Sequence, residues 1–417
     1  MHDVLVVGGG PAGAATAYWL ASAGRDVVVC EKKVFPRDKT CGDGLTPRAV
    51  HQLAEMGLED AVARDHHRYD GLRAVAHGIT LELEWPSHPV YPSHGYVVRR
   101  RDLDQLVAEH AVKAGATLWQ GAECVGPVLD RGLVAGAHVK RKDTGAVEEV
   151  RARYVVVADG SNSRFGRALG TTRNKAYPQG MAIRGYYESP IHDDPWIESC
   201  LDLRDRNGNS LPGYGWIFPV GDGTINVGMG LLSTFRDWKS VNTSHLMDEW
   251  AATAPERWGI TPEGRCGDPT GGRLPMGGSV GPRVGPTWLA VGDAAGSVNP
   301  FNGEGIDYAY ETGRLAADVL DEALATGSGL ALQRYDATLD REFGLYFKVA
   351  RLFAHVIGRP ALMRELTRVG MRSRSLMEWV LRIMANLLRP DEVGPAEAAY
   401  KAAAALARLV PEPAVGR

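Results

Sequence analysis

The residues of this chain best suited to chemistry fall in a few short strings. The first is Gly8-Gly9-Gly10-Pro11-Ala12-Gly13, with an acid, Glu31, 18 residues past Gly13. Gly8 permits a tight turn. Gly10 carries no Cβ, so its backbone can approach a pyrophosphate, and Gly13 lets a following helix pack closely on a sheet. The alanine-rich helix that follows offers free N–H groups and a partial positive charge to phosphate. Glu31 can accept from ribose hydroxyls, and Lys32 beside it suits the adenosine end. Together these residues specify dinucleotide binding.

Further strings refine the ligand. Asp159 follows the apolar run Val155-Val156-Val157-Ala158, and Gly292-Asp293 follows Leu289-Ala290-Val291. An acid after a strand can bind a hydroxyl of a ribityl chain, which FAD has and NAD lacks. Arg100, with Leu103 and Asp104, opens a helix. Between Arg37 and Arg48 lies a turn-rich loop containing Cys41, Gly42 and Asp43. A thiol there can donate a proton or shape a redox site, or it can be a small buried apolar group. Asp43 divides in the same way between supporting a bound ring and making a turn. Pro300, Gly303, Gly305 and Ile306 surround Glu304 ahead of another helix, where glycines allow a flat ring to come close. Tyr214, Trp216 and Phe218 alternate along one strand, so their rings share a face and either line an apolar groove or form sheet core.

The elements that must position these residues follow from pattern. A strand, glycine turn, alanine-rich helix and second strand occupy residues 4–31. Residues 99–116 read as a helix, and 133–140 with 147–157 as a hairpin. From 171 to 273 short β-like runs alternate with Gly, Pro and Asp turns, which predicts a separate, mostly antiparallel sheet. A helix follows from 305 to 326, and the remainder to 417 is helical. Residues 1–72, 97–170 and 274–326 should therefore form a discontinuous FAD-binding domain, 73–96 and 171–273 a β-sheet substrate domain, and 327–417 a helical C-terminal region.

At 417 residues the chain is long enough for two or three lobes, and 44% apolar with 23% charged residues is ordinary for a globular protein. A net charge of −3 provides no global field to recruit nucleic acid. Five cysteines without CxxC spacing suit a reducing cytoplasm and no structural metal. The first strand begins at residue 4, which predicts no signal peptide, and no run of about 18 apolar residues predicts a membrane span. Charge is uneven, however. Residues 341–390 carry a net +7, leaving −10 on the rest. Residues 343–357 and 376–388 are broadly apolar with narrow polar stripes, Lys348/Arg351/His355 and Glu378/Arg382/Asn386. Such helices suit either an anionic membrane surface or packing on the body with a solvated arginine rim.

The three FAD-type strings, in this order, resemble the flavoprotein fold of p-hydroxybenzoate hydroxylase, flavin-dependent halogenases and geranylgeranyl reductases: an α/β, Rossmann-like FAD-binding fold with an inserted antiparallel sheet. Within it the chain most resembles the geranylgeranyl reductase family over nearly its whole length. The strings are Cys41-Gly42-Asp43-Gly44-Leu45-Thr46-Pro47-Arg48, Leu211-Pro212-Gly213-Tyr214-Gly215-Trp216-Ile217-Phe218-Pro219, and Asn299-Pro300-Phe301-Asn302-Gly303-Glu304-Gly305-Ile306-Asp307-Tyr308. The second departs from the family's PxxYxWxFP by one residue, since Pro212 precedes Tyr214 by two. The match is nearest to the branch that saturates a double bond of menaquinone's polyprenyl tail.

The resemblance implies a non-covalent FAD held by Gly8, Gly10, Pro11, Ala12, Gly13, Glu31, Lys32, Arg37, Cys41, Gly42, Asp43, Arg100, Asp159, Gly292, Asp293, Pro300, Gly303, Gly305 and Ile306. It implies catalytic roles for Cys41, Tyr214 and Trp216, and a prenyl-lipid groove lined by Tyr214, Trp216 and Phe218. Reduction of an isolated alkene needs a hydride and a proton on adjacent carbons. No second GxGxxG unit lies between strands, so NADPH as a transient visitor, a ferredoxin or a quinol are all open as electron donor. A prenyl-lipid substrate implies a cytoplasmic protein peripheral on the inner face of the cell membrane. The alternative is a flavin monooxygenase acting on an aromatic or polyketide substrate. A halogenase fits less well, because its WxWxIP string is replaced by Tyr214-x-Trp216-x-Phe218-Pro219 and no catalytic lysine appears in residues 42–89. A non-enzymatic flavin sensor is a third reading.

Overall fold

The computed structural model describes residues 1–204, 208–211, 213–235, 243–389 and 391–412. Pro212 of the aromatic string and the last five residues of the C-terminal region lie outside that set. The first strand, His2–Val7, is flanked in parallel by Val27–Glu31 and by Val147–Val157. Thr117–Gln120 extends this sheet beyond Val27–Glu31, and Trp288–Ala290 pairs with the far end of Val147–Val157. The 11-residue strand 147–157 does two jobs. Its later residues join the parallel sheet, while its earlier ones pair antiparallel with Leu133–Arg141, which pairs in turn with Ala122–Asp130. The expected hairpin is thus an extension of the parallel sheet.

The helix Pro11–Ser22 is rich in small residues and buried nearly all round. It lies against the sheet and against Ile306–Thr326. A Cβ at Gly13 would collide with the Gly8 carbonyl, and one at Gly313 would come within 2.8 Å of the Ala12 carbonyl. Small residues on both helices let them sink close to the sheet and to each other, which lays three chain segments far apart in sequence over one core.

A second seven-stranded sheet runs in the order Arg265–Pro275, Gln179–Glu188, Thr224–Leu232, Gly213–Pro219, Trp196–Cys200, Gly71–Ala76 and Ile79–Glu84. All its pairings are antiparallel except Trp196–Cys200 with Gly71–Ala76. The loop after Arg37 ends in Gly44–Leu45, which pairs with Gly95–Val97, so the loop is bracketed between the two large sheets. Among the described residues no helix is long and apolar enough to cross a membrane. Beyond 330 the chain is helical, ending in Pro395–Leu409.

Candidate functional site

At the carboxyl ends of the parallel strands the glycine turn, the 158–160 turn and the 292–295 turn converge. Gly8 has φ +104°, and a Cβ there would stand 2.5 Å from the Ala158 carbonyl oxygen. Gly292, at φ +57°, would bring a Cβ within 2.8 Å of Ala12. A Cβ on Gly10, by contrast, would meet only Arg37 Nη2, at 3.7 Å. Gly10 caps the helix 11–22 without any side-chain hydrogen bond, and Pro11 occupies its first turn. The helix N-terminus is thus open, uncapped and faced by a guanidinium, as a bound diphosphate requires.

Glu31 is buried and accepts from the Gly9 N–H at 3.0 Å and the Lys33 N–H at 3.0 Å, stiffening the turn. Lys32 is exposed. Arg37 sits 3.4 Å from Glu31, and its buried Nε makes no hydrogen bond. Its Nη1 donates to Asp104 Oδ2 at 2.8 Å. Asp104 also takes Arg100 Nε and Nη2 at 2.7 and 2.8 Å, and the Arg100 backbone N–H reaches Asp43 Oδ1 at 3.3 Å. A buried line of alternating charge therefore runs from Glu31 to Asp43. Asp159 accepts from Ser163 Oγ and the Phe165 N–H, which starts the helix 164–168. Asp293 is part-exposed, 3.9 Å from Lys39 Nζ and beside Gly305.

The aromatic strand lies against the other side of this loop. A Cβ on Gly42 would approach Phe218 at 3.1 Å and Trp216 Nε1 at 3.4 Å, and Gly44 meets Phe218 in the same way. Register explains the packing. Phe218, Asn226 and Tyr186 form one row across three strands, and Trp216, Gly228 and Arg184 the next. Gly228 leaves the space its Cβ would need to the Trp216 indole, which is why a glycine stands opposite the tryptophan. Trp216 Nε1 donates to Asn226 Oδ1 at 2.9 Å, and Asn226 Nδ2 donates to the Cys41 carbonyl and to Asp43 Oδ2. Tyr186 donates to the same Asp43 oxygen at 2.5 Å. Burial pushes the Asp43 carboxyl up to about 6 despite these donors, and burial likewise raises the Cys41 thiol, which keeps it protonated at neutral pH.

Tyr214 OH donates to the Asn302 carbonyl at 2.6 Å, tying the strand to the 299–305 loop. Gly303 has φ +81°, and Gly305 caps the helix 306–326 with no side-chain hydrogen bond, leaving a second open helix N-terminus. Pro300 is buried and backs onto Gly277, while Ile306 is buried in the core beneath the glycine-turn helix. Asp104, Tyr186, Asn226 and Glu304 join this constellation, and none of them was among the expected site residues. Cross-strand register sets Tyr186 and Asn226 beside Asp43. The signal for Glu304 was its place between two glycines.

An "FAD binding domain" family model matches residues 1–184. Menaquinone reductase of Mycobacterium tuberculosis is 41% identical over 98% of this chain and 97% of its own. The Mycolicibacterium smegmatis menaquinone reductase is 41% identical over 94% and 93%. Digeranylgeranylglycerophospholipid reductase 1 of Methanopyrus kandleri is 32% identical over 85% and 90%. Among solved structures, a geranylgeranyl bacteriochlorophyll reductase-like protein of Thermoplasma acidophilum superposes with a TM-score of 0.78 at 23% identity, covering 96% and 99% of the two chains. The flavin-dependent brominase Bmp2 gives 0.73 at 20% identity over 96% and 98%. These two likenesses carry the fold alone, and the fold is the one the three FAD-type strings implied.

Proposed function

This chain belongs to the geranylgeranyl reductase family of FAD-dependent oxidoreductases, and we propose that it saturates a carbon–carbon double bond in the polyprenyl tail of a menaquinone. The observation that carries this reading is the aromatic strand, Tyr214, Trp216 and Phe218, laid across Gly42 and Gly44 of the loop that links it to the dinucleotide cradle. Bound FAD, once reduced, supplies a hydride there. Gly8, Gly10, Pro11, Ala12 and Gly13 receive the diphosphate at the open helix N-terminus, with Arg37 as its countercharge. Gly292, Asp293, Gly303 and Gly305 close the cradle, and the uncapped end of the helix 306–326 favours negative charge on the ring. Arg100 and Asp43 fix the Cys41–Gly42 loop. The three aromatic rings present an apolar wall that suits isoprene units and excludes water.

Incubating FAD-loaded protein with menaquinone and chemical reductant under anaerobic conditions should give a quinone heavier by two hydrogens. A hydroxylase on the same fold would need oxygen and add an oxygen atom. A product that forms only in air and carries oxygen would overturn the reductase reading.

We also place the protein peripherally on an anionic membrane, through a helix other than those with the broad apolar stripes. The helix Leu345–Ile357 buries its apolar face, and Arg351 with it, while Arg374–Met384 buries Met377 and Leu381 under the second sheet. Between them, Pro360–Gly370 buries only Thr367 and Gly370 and leaves Leu362, Leu366 and Val369 36%, 43% and 61% exposed on one face. Arg359, Arg364, Arg368 and Arg372 surround that face, and among them only Glu365 offsets the charge. Each basic residue near an anionic surface is worth roughly 1 kcal/mol. Flotation with anionic liposomes should weaken as salt rises. It should fall severalfold when Arg364, Arg368 and Arg372 become glutamate, and again with Leu366→Ser and Val369→Ser. Equal flotation of parent and variants would mean that the helix is an ordinary solvated surface.

A further inference from the structure

We propose that Glu304 donates the proton that completes alkene reduction, and that Asp307, three residues along, stays a neutral acid beside it. This rests on the prenyl-reductase reading of the site. Glu304 sits on the loop fastened to the aromatic strand by the Tyr214–Asn302 hydrogen bond. Its carboxyl takes Thr46 Oγ1, directly after the Cys41–Leu45 loop, and Asn302 Nδ2 at 3.2 Å. It therefore lies between the two loops that flank the aromatic groove, and its charge acts on Tyr214 and Tyr69 there.

Asp307 and Glu311 share one side at the start of the helix 306–326, and Glu304, on the loop just before it, acts on both. A single guanidinium, Arg48 on the helix Pro47–Glu55, serves them, and it is committed to Glu311. Both Glu311 oxygens accept from Arg48 Nη2 at 2.6 Å, and Nη1 is spent on Tyr91 OH and the Asn386 carbonyl. Arg48 Nε stays 3.7 Å from Asp307. Asp307 is fully buried, and apart from the adjoining Tyr308 backbone N–H its oxygens find no donor. An ionised carboxylate in that position is expensive, whereas a protonated one is neutral. The titratable and charged groups facing the pair are Arg48, Glu311, Tyr69, Tyr91, Tyr214, Tyr308 and Tyr346, so one positive charge meets three carboxyls. Burial accordingly lifts Glu304 to about 7 and Asp307 well above the usual carboxylate range.

The step balances. As a hydride from reduced flavin bonds to one alkene carbon, the π pair of the alkene takes the Glu304 proton at the neighbouring carbon. The O–H pair remains on Glu304 as carboxylate, the flavin is left oxidised, and two C–H bonds have formed. Glu304 is then reprotonated from water.

The test uses the full FAD-loaded chain with E304Q, E304D and D307N. Wild-type turnover of menaquinone by pre-reduced protein should be highest below about pH 7 and fall tenfold per unit above it, since the acid form is required. E304Q should lose roughly a hundredfold or more, typical of a general acid, with flavin content unchanged and the pH dependence flattened. E304D should recover part of the rate. Infrared spectroscopy gives a readout independent of turnover: protonated-carboxyl signal present at pH 7 in the wild type should shrink in both E304Q and D307N. An active wild type with unaffected E304Q, or no infrared loss in either variant, overturns the assignment. An unchanged protonated-carboxyl signal in D307N alone overturns the neutral state of Asp307. A wild type that reduces no prenyl quinone overturns the substrate reading and this assignment together.

Discussion

Gly10→Val should yield a folded protein that has lost its flavin. The structure separates these two effects at this glycine. The valine Cβ would stand 3.7 Å from Arg37 Nη2 and meet nothing else, so the chain can fold around it. The same atom fills the mouth of the uncapped helix 11–22, where the diphosphate has to lie. Charge-assisted hydrogen bonds are worth about 1.5–3 kcal/mol each, and losing two weakens binding by roughly a hundredfold or more. The purified variant should be colourless, with a melting temperature equal to that of deflavinated wild type. Gly13→Val is the contrast, since its Cβ collides with the Gly8 carbonyl and should prevent folding altogether. A yellow Gly10→Val protein with full flavin occupancy would mean the cradle is elsewhere.

Trp216→Ala should keep FAD and lose about a hundredfold or more of turnover. The indole packs over Gly42 and Gly228 and donates to Asn226, which in turn holds the Cys41 carbonyl and Asp43. Truncation removes the middle of the apolar wall and costs about 3–5 kcal/mol of stability, so activity should be compared well below the melting temperature. Trp216→Phe isolates the hydrogen bond. It keeps a ring but leaves buried Asn226 Oδ1 without its donor, a cost of about 1–3 kcal/mol. Its turnover should lie between those of Trp216→Ala and the wild type. Flavin absorbance, thermal melts and single-turnover product formation separate the outcomes. Unchanged turnover in Trp216→Ala would make this strand ordinary sheet core.

The glycine turn, the strand–helix–strand unit ending at Glu31 and the helix 306–326 were legible because their signals are local: spacing, capping and composition within about 20 residues. The second sheet was legible as texture, but its order was not. Nothing in residues 196–200 says that they pair in parallel with 71–76. The buried partners of the site were hidden for the same reason, since Tyr186 and Asn226 matter only through register, and Arg48 meets Glu311 from 263 positions away. The C-terminal stripes left two covers open, a membrane surface or the body, and the body covers both helices. Arg351 reads as a solvated residue on an amphipathic helix, yet its guanidinium is buried because the Gly277 carbonyl and Glu412 receive it. An apolar face announces that something covers it, without naming the cover. The exposed face belongs instead to Pro360–Gly370, whose mean hydropathy is lower.

The alternating charges from Glu31 to Asp43 also set a mechanical tolerance. Arg37 and Asp43 bound the Asp38–Gly42 stretch, and both are fastened to the same rigid helix, Arg100–Lys113, through Asp104 and through the Arg100 backbone. A loop pinned at both ends to one strut cannot swing like a hinged door. The separation between diphosphate cradle and aromatic wall is then a fixed gauge, set by the Arg37 guanidinium at one end and the Arg100 backbone N–H at the other. Cofactor and substrate must adjust to that gauge, and Arg37→Lys, with its single swivelling charge, would let one end of it drift.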